Sequence, residues 1–312
     1  MNISGNTTED ISYENLIHKI YEVFNYLLMP IAASSIIGNV LIIIVVAKDK
    51  VTTTNILFGI LACVDLLATF IGPVLLIADL NAAMKTFLAA SLFRITLREF
   101  LGQTIAGLST WTLVIITIER LLSITIPFNV KQVVTVPRVI LAEFATAIAV
   151  AVVQYLRHFL AVESLMFEGQ WSMNPRSREW AEFFVISDWI LFTGIPFIFI
   201  ITASSVILRK LRTPFGQGQI QSARFRAVTT NLILANVKFI LTNVPARLVT
   251  VILYYFKESI SLNLYQEELI RETSWYLMHL NWALNFYLYI LSGQKFREDV
   301  QKLFSSFAIP KK

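Results

Sequence analysis

The sequence holds one cysteine, Cys63, among 312 residues. A lone cysteine excludes a disulfide within the chain and any thiolate metal cluster. Histidine is nearly as scarce: His18, His158 and His279 lie far apart, without the spacing of metal ligands. No HExxH, GxSxG, P-loop or GxGxxG pattern occurs, so the common hydrolase and nucleotide-binding signatures are missing and no enzyme is expected. Charge is short as well. Only 15% of the residues are Asp, Glu, Lys or Arg, against about 25% in ordinary soluble domains. With 56% hydrophobic residues and a mean hydropathy of +0.65, that deficit points to a chain embedded in a lipid bilayer. No nucleic-acid partner is expected. The start of the chain lacks a basic stretch followed by a short apolar run, so no cleaved signal peptide is expected and the first span acts as its own signal.

What the chain does have is seven apolar stretches, roughly 24–47, 56–80, 92–122, 137–157, 184–208, 227–255 and 274–292. Each is close to the roughly 20 residues that cross a bilayer as a helix. Pro196 falls in the fifth and Pro245 in the sixth; a spanning helix tolerates proline because neighbouring helices can satisfy the carbonyls it leaves open. Beyond Gly293, Phe296, Val300, Leu303, Phe304 and Phe307 recur at helical spacing among basic residues, the pattern of a helix lying on a membrane surface. The expected fold is an all-α membrane protein: a seven-transmembrane helix bundle plus a short amphipathic membrane-surface helix. Residues 1–23 form an outer tail, 24–292 the bundle, and 293–312 the amphipathic helix and a short cytoplasmic tail.

Charge sets the orientation. Of the 26 Lys and Arg, fifteen fall in one alternate set of loops: Lys48, Lys50, Arg120, Lys131, Arg138, Arg209, Lys210, Arg212, Arg224, Arg226, Lys295, Arg297, Lys302, Lys311 and Lys312. The positive-inside rule puts that set in the cytosol. The amino terminus, with glycosylation sequons at Asn2 and Asn6, is then outside. The expected location is the plasma membrane.

Polar residues inside the spans are expensive and usually functional. Asn39 lies in "IIGNVLII", Asp65 in "LACVDLLATF", and Asn281 and Asn285 in "HLNWALNFYLYIL"; Ser109 lies in the third span. Asn281 and Asn285 are one turn apart on one face. Taken singly, each could be glue between helices. The third span is uncharged from Phe100 to Ile118, about 28 Å, and ends in an adjacent acid and base, Glu119-Arg120.

In order along the chain, one motif per helix, these stretches resemble the rhodopsin-like G-protein-coupled receptors. "GNV" at 38–40 matches the first helix and "LACVD" at 61–65 the second. Glu119-Arg120-Leu121 stands where the family has Asp/Glu-Arg-Tyr, and "NFYLY", Asn285 to Tyr289, where it has NPxxY. Pro196, Pro245 and Phe239 match the fifth and sixth helices. The resemblance implies that Glu119 holds Arg120 while the receptor is off. Activation then frees Arg120, with Asn285 and Tyr289 in the same switch, to open a cleft for a heterotrimeric G protein. It also implies that Asp65, Ser109, Asn281 and Asn285 surround an allosteric sodium ion, with Asp65 as the charged ligand and no other cofactor.

The chain departs from the family in places. The family disulfide has no counterpart: its helix-three position falls at Ile95. The outer loop at about 158–182 must be held otherwise, with Trp171, Trp180, Arg176, Arg178, Glu179 and Glu182 as candidates. Asn243 replaces the usual tryptophan of helix six, Phe286 the proline after Asn285, and Ser204 the activation tyrosine of helix five. Arg224 and Arg226 open helix six where a locking acid is common. A weakly held off state with measurable basal signalling is the expectation.

The ligand pocket is expected at the outer ends of helices three, five, six and seven. Its candidates are Arg98, Glu99, Gly102, Gln103, Asp188, Phe192, Arg247, Trp275 and His279. Gly102 stands where amine receptors have an aspartate, and His279 where opsins have the retinal lysine. Arg247 suits a carboxylate, a phosphate or an amidated peptide end; equally, it could pair internally with Asp188 or Glu99. Mixed charges suit a short neuropeptide, as in an invertebrate-type peptide or orphan receptor. A small-molecule chemoreceptor of the same fold is the alternative. A transporter is more distant, given the odd span number and the lack of an internal repeat. For an intramembrane enzyme, Asp65 has no second buried acid to join it.

Overall fold

The computed structural model describes residues 8–80, 100–160, 162–167, 170–175, 177–212, 223–260, 262, 264–292 and 294–308. Helices dominate. α1 is Thr8–Lys48, α2 Thr53–Leu80, α3 Gln103–Thr125 and α4 Val136–Tyr155. α5 runs as Arg178–Trp189, a π-helical turn at Ile190–Gly194, and Ile195–Arg212. α6 is Ala223–Ile260, α7 Leu264–Ser292 and α8 Gln294–Ala308. A single helical turn, Val130–Val133, joins α3 to α4.

Local chemistry explains several boundaries. Pro137 sits in the first turn of α4, where its missing N–H costs nothing. Ser177 caps α5 by accepting the Trp180 backbone N–H. The π turn of α5 ends at Gly194, two residues before Pro196; an extra residue in the turn relieves the clash of the proline ring with the preceding carbonyls. α1 starts well before the expected span, because Thr8 to Met29 contains neither glycine nor proline to stop it. Residues 8–23, read from sequence as a tail, therefore continue the first helix.

Among the described residues, six helical segments are long and apolar enough to cross a membrane: Glu22–Lys48, Thr53–Ile71, Phe100–Thr125, Val136–His158, Arg178–Lys210 and Thr229–Phe256. α7 completes the seven-helix bundle, packed on α1, α2 and α6. It is the least apolar member because His279, Asn281 and Asn285 face inward and are buried. A central core joins Leu57, Leu61, Val114, Ile116, Ile200, Ile207, Leu232 and Phe239 from four helices. The outer faces carry exposed Leu67, Phe70, Leu141, Phe144, Ile198 and Leu241. So many apolar side chains facing outward, over buried Asn39, Asp65 and Ser109, is the arrangement of a multi-pass membrane protein.

Between α4 and α5 the chain forms an antiparallel hairpin, β1 (Val162–Phe167) and β2 (Gln170–Pro175), with Met166 opposite Trp171. Main-chain pairing thus orders the loop that lacks a disulfide. Trp180 packs edge-on against Phe183, 5.7 Å between centroids. Arg178 and Glu182 pair on the exposed face at 3.2 Å, a contact worth little. At the far end, α8 turns Val300 and Leu303 inward and rests on α7 and α1.

Candidate functional site

Among the described residues, three buried polar clusters centre on Glu119–Arg120, Asp65 and Asp188. The first is at the end of α3. Glu119 and Arg120 are both buried, with Arg120 Nε 2.9 Å from Glu119 Oε2. The start of α2 holds them in place. Thr53 and Thr54 donate hydroxyl hydrogen bonds to Glu119 Oε1 at 3.1 and 3.2 Å, and Arg120 Nη2 donates to Thr54 Oγ1. The two threonines do not stand out in sequence; only the packing of α2 on α3 selects them. One turn before, Thr117 Oγ1 lies 3.4 Å from Asn236 Oδ1, and Asn236 Nδ2 donates to Ser204 Oγ at 2.9 Å. Thr117 gives its proton to the Leu113 carbonyl at 2.8 Å, so the amide ties α6 to α5, with Ser204 as its acceptor, and only rests against α3.

The second cluster surrounds Asp65. Ser109 Oγ donates to Asp65 Oδ1 at 2.6 Å, and Asn285 Nδ2 donates to Asp65 Oδ2. Thr69 donates to the Asp65 carbonyl at 2.7 Å. Its proton is spent there, so Ser35, 2.9 Å from Thr69, donates to Thr69 and accepts from Asn39 Nδ2 at 3.2 Å. The sequence reading placed Asp65, Ser109 and Asn285 around one site, and these bonds join them, with Asn39 linked through Ser35 and Thr69. It missed Lys238. This buried lysine of α6 donates to the Asn281 carbonyl and to Asn285 Oδ1, both at 2.5 Å. Thr242 Oγ1 lies 3.3 Å from Asn281 Oδ1. A lone lysine inside "LANVKFILTNVP" was the available signal, since ionisable groups within a span are functional candidates by default.

The sodium ion implied by the resemblance does not fit this cluster. Asp65 already accepts from Ser109 and Asn285, and Asn285 Oδ1 faces the Lys238 ammonium, so a cation of the protein's own occupies the cluster. The adjoining cavity, lined by Leu61, Ser109, Lys238, Phe239, Asn281 and Asn285, is about 10 Å³. A further buried acid, Glu143 of α4, accepts from Thr112 at 3.1 Å, so Asp65 is not alone. Thr112 is nearly one turn beyond Ser109 on α3.

The third cluster lies toward the hairpin. Asp188 receives two arginines: Arg247 Nη1 at 2.5 Å on Oδ2 and Arg157 Nη1 at 2.7 Å on Oδ1. Arg247 Nη2 also donates to Gln103 at 3.0 Å. Arg157 donates to Gln154 at 2.9 Å, and its guanidinium lies 4.2 Å from the centre of the Phe184 ring. The internal pairing of Arg247 with Asp188 is therefore present. Gln154, at the end of α4, and Arg157, in the π-helical turn Leu156–Leu160 that follows it, were not anticipated.

Other expected pocket residues behave differently. Phe192 is buried against α3, where a Cβ on Gly107 would come within 2.7 Å of its ring, so it packs α5 on α3. His279 is buried and meets Trp282 edge-on at 4.9 Å. Gly102 stands just ahead of α3. Arg98, Glu99, Asn2, Asn6, Ile95 and Arg176 lie outside the described residues, as do the side chains of Trp171, Arg224, Arg226, Trp275, Phe286 and Tyr289.

The family model for the 7 transmembrane receptor (rhodopsin family) matches residues 38–289. That match covers most of the chain, from Gly38 in α1 to Tyr289 in α7, and the chain belongs to this family. It is a receptor and not an enzyme. A search of curated proteins returned no match.

Proposed function

We propose that the chain binds an extracellular ligand, a short peptide, and activates a heterotrimeric G protein. It acts in the plasma membrane, with its amino terminus outside and its carboxyl terminus in the cytosol. The observation that carries the coupling is Arg120, held at the bundle end by Glu119 and Thr54. The pair and its threonine anchors sit on two helices, so separating α2 from α3 removes partners from both charges at once. A charge pair that can change partners between two helix arrangements is a switch element.

The Asp188–Arg247–Gln103 cluster supports the peptide reading. It offers an acid, a base and an amide side by side. A peptide carboxylate competes for Arg247 while an amine competes for Asp188.

The test is GTP-analogue exchange in membranes expressing the chain, with pooled neuropeptides and, separately, pooled metabolites, beside Arg120→Ala. Exchange above background with the peptides, abolished by Arg120→Ala, is expected. A response to the metabolite pool alone would move the reading to a small-molecule chemoreceptor. Exchange undiminished in Arg120→Ala would remove Arg120 from the coupling role.

A further inference from the structure

We propose that Lys238 is the built-in counter-ion of the Asp65 cluster, so that this receptor works without a bound sodium ion. A hard cation there needs oxygen lone pairs turned toward it. Here several of those lone pairs already face donors of the protein itself. Asp65 Oδ1 accepts from Ser109 and Oδ2 from Asn285. Asn285 points its nitrogen at Asp65 and its oxygen at the Lys238 ammonium. The second bond from Lys238 goes to the Asn281 main-chain oxygen. Asn285 is thus a bridge, its two ends matched to opposite charges.

Charge leads to the same assignment. One carboxylate and one ammonium, both buried, balance each other across the Asn285 amide. A second cation would leave one positive charge uncompensated in a medium that solvates it poorly. The cavity beside the cluster, about 10 Å³, is at the lower limit for a single water.

The consequence differs from that of a diffusible ion. Sodium can leave when helices move; Lys238 is tethered to α6. The cation therefore follows the position of α6 and not the salt outside. Outward motion of α6 must either break the bonds from Lys238 to Asn281 and Asn285 or draw α7 with it.

The test is thermal unfolding of the detergent-purified full chain in sodium chloride against choline chloride at equal ionic strength. It uses the wild type, Asp65→Asn and Lys238→Met. The wild type is expected to unfold at the same temperature in both salts, to within about 1 °C, whereas Lys238→Met gains a saturable, sodium-specific rise of about 4 °C. A saturable sodium effect on the wild type, lost in Asp65→Asn, would overturn the proposal. So would a folded Lys238→Met indifferent to sodium. If Lys238→Met does not fold, the double variant Lys238→Met/Asp65→Asn, which removes both charges, is expected to recover folded yield. A double variant no better than the single ones would overturn the pairing. This readout needs neither ligand nor G protein, so it stands apart from the signalling assay.

Discussion

Asp188 serves two guanidinium groups, and the cost of losing it follows from that number. Asp188→Asn leaves Arg157 and Arg247 beside a neutral amide. Removing one partner of a buried pair costs about 3–5 kcal/mol, so a large fall in unfolding temperature and surface yield is expected. Asp188→Asn/Arg247→Gln should recover part of the loss, because one stranded charge is gone. Gly107 presents a steric case. A methyl there would meet the Phe192 ring at 2.7 Å and Val150 at 3.1 Å, both buried. Gly107→Ala should cost about 1–3 kcal/mol by overpacking, read as a lower unfolding temperature, and Phe192→Leu should restore most of it. At this scale the sequence was legible where a polar residue interrupts an apolar run, as at Asp65 and Asn285. It was illegible where the partner is remote. Lys238 is as plain in sequence as Asp65, but its acceptors lie 43 and 47 residues away, and only the rotation of α6 against α7 aims it at them. Arg157 was lost differently: it ends a span, where an arginine ordinarily reaches for the interface.

Among the described elements, α6 has polar neighbours on three other helices. Through Asn236 it touches Thr117 of α3 and Ser204 of α5; through Lys238 it touches α7; through Arg247 it reaches Asp188 of α5. The absence of an acid at its start suggested a loosely held resting state, yet Asn236 supplies a neutral tie nearby. Asn236→Ala cuts that tie to Ser204. At about 0.5–1.5 kcal/mol per neutral hydrogen bond, ligand-independent GTP-analogue exchange is expected to rise about two- to tenfold. Unchanged basal exchange would show that the tie does not restrain α6. Helix positions were largely readable because a bilayer-length apolar run has few alternatives. Their ends were not: α1 and α7 both extend past the apolar stretch as amphipathic or polar helix. The π turn before Pro196 was also hidden, since the proline announces a disturbance without saying how the backbone absorbs it.

For the whole molecule, the arrangement is a soluble protein turned inside out. Apolar side chains face outward and three charge-bearing clusters lie within, one near the hairpin, one in the middle and one at the end of α3. That plan was legible from composition alone, whereas the ladder of β1 and β2 was not, because main-chain pairing leaves little mark on side-chain patterning in so short a hairpin. The ladder carries a practical consequence. With the hairpin ordered by its own backbone, the lone thiol at Cys63 bears no structural duty and lies exposed on α2. Exchanging Cys63 for serine yields a background in which any cysteine introduced later is unique. Paired spin labels or fluorophores on the ends of α3 and α6 could then report, as a distance in ångströms, how far those ends separate when an agonist arrives.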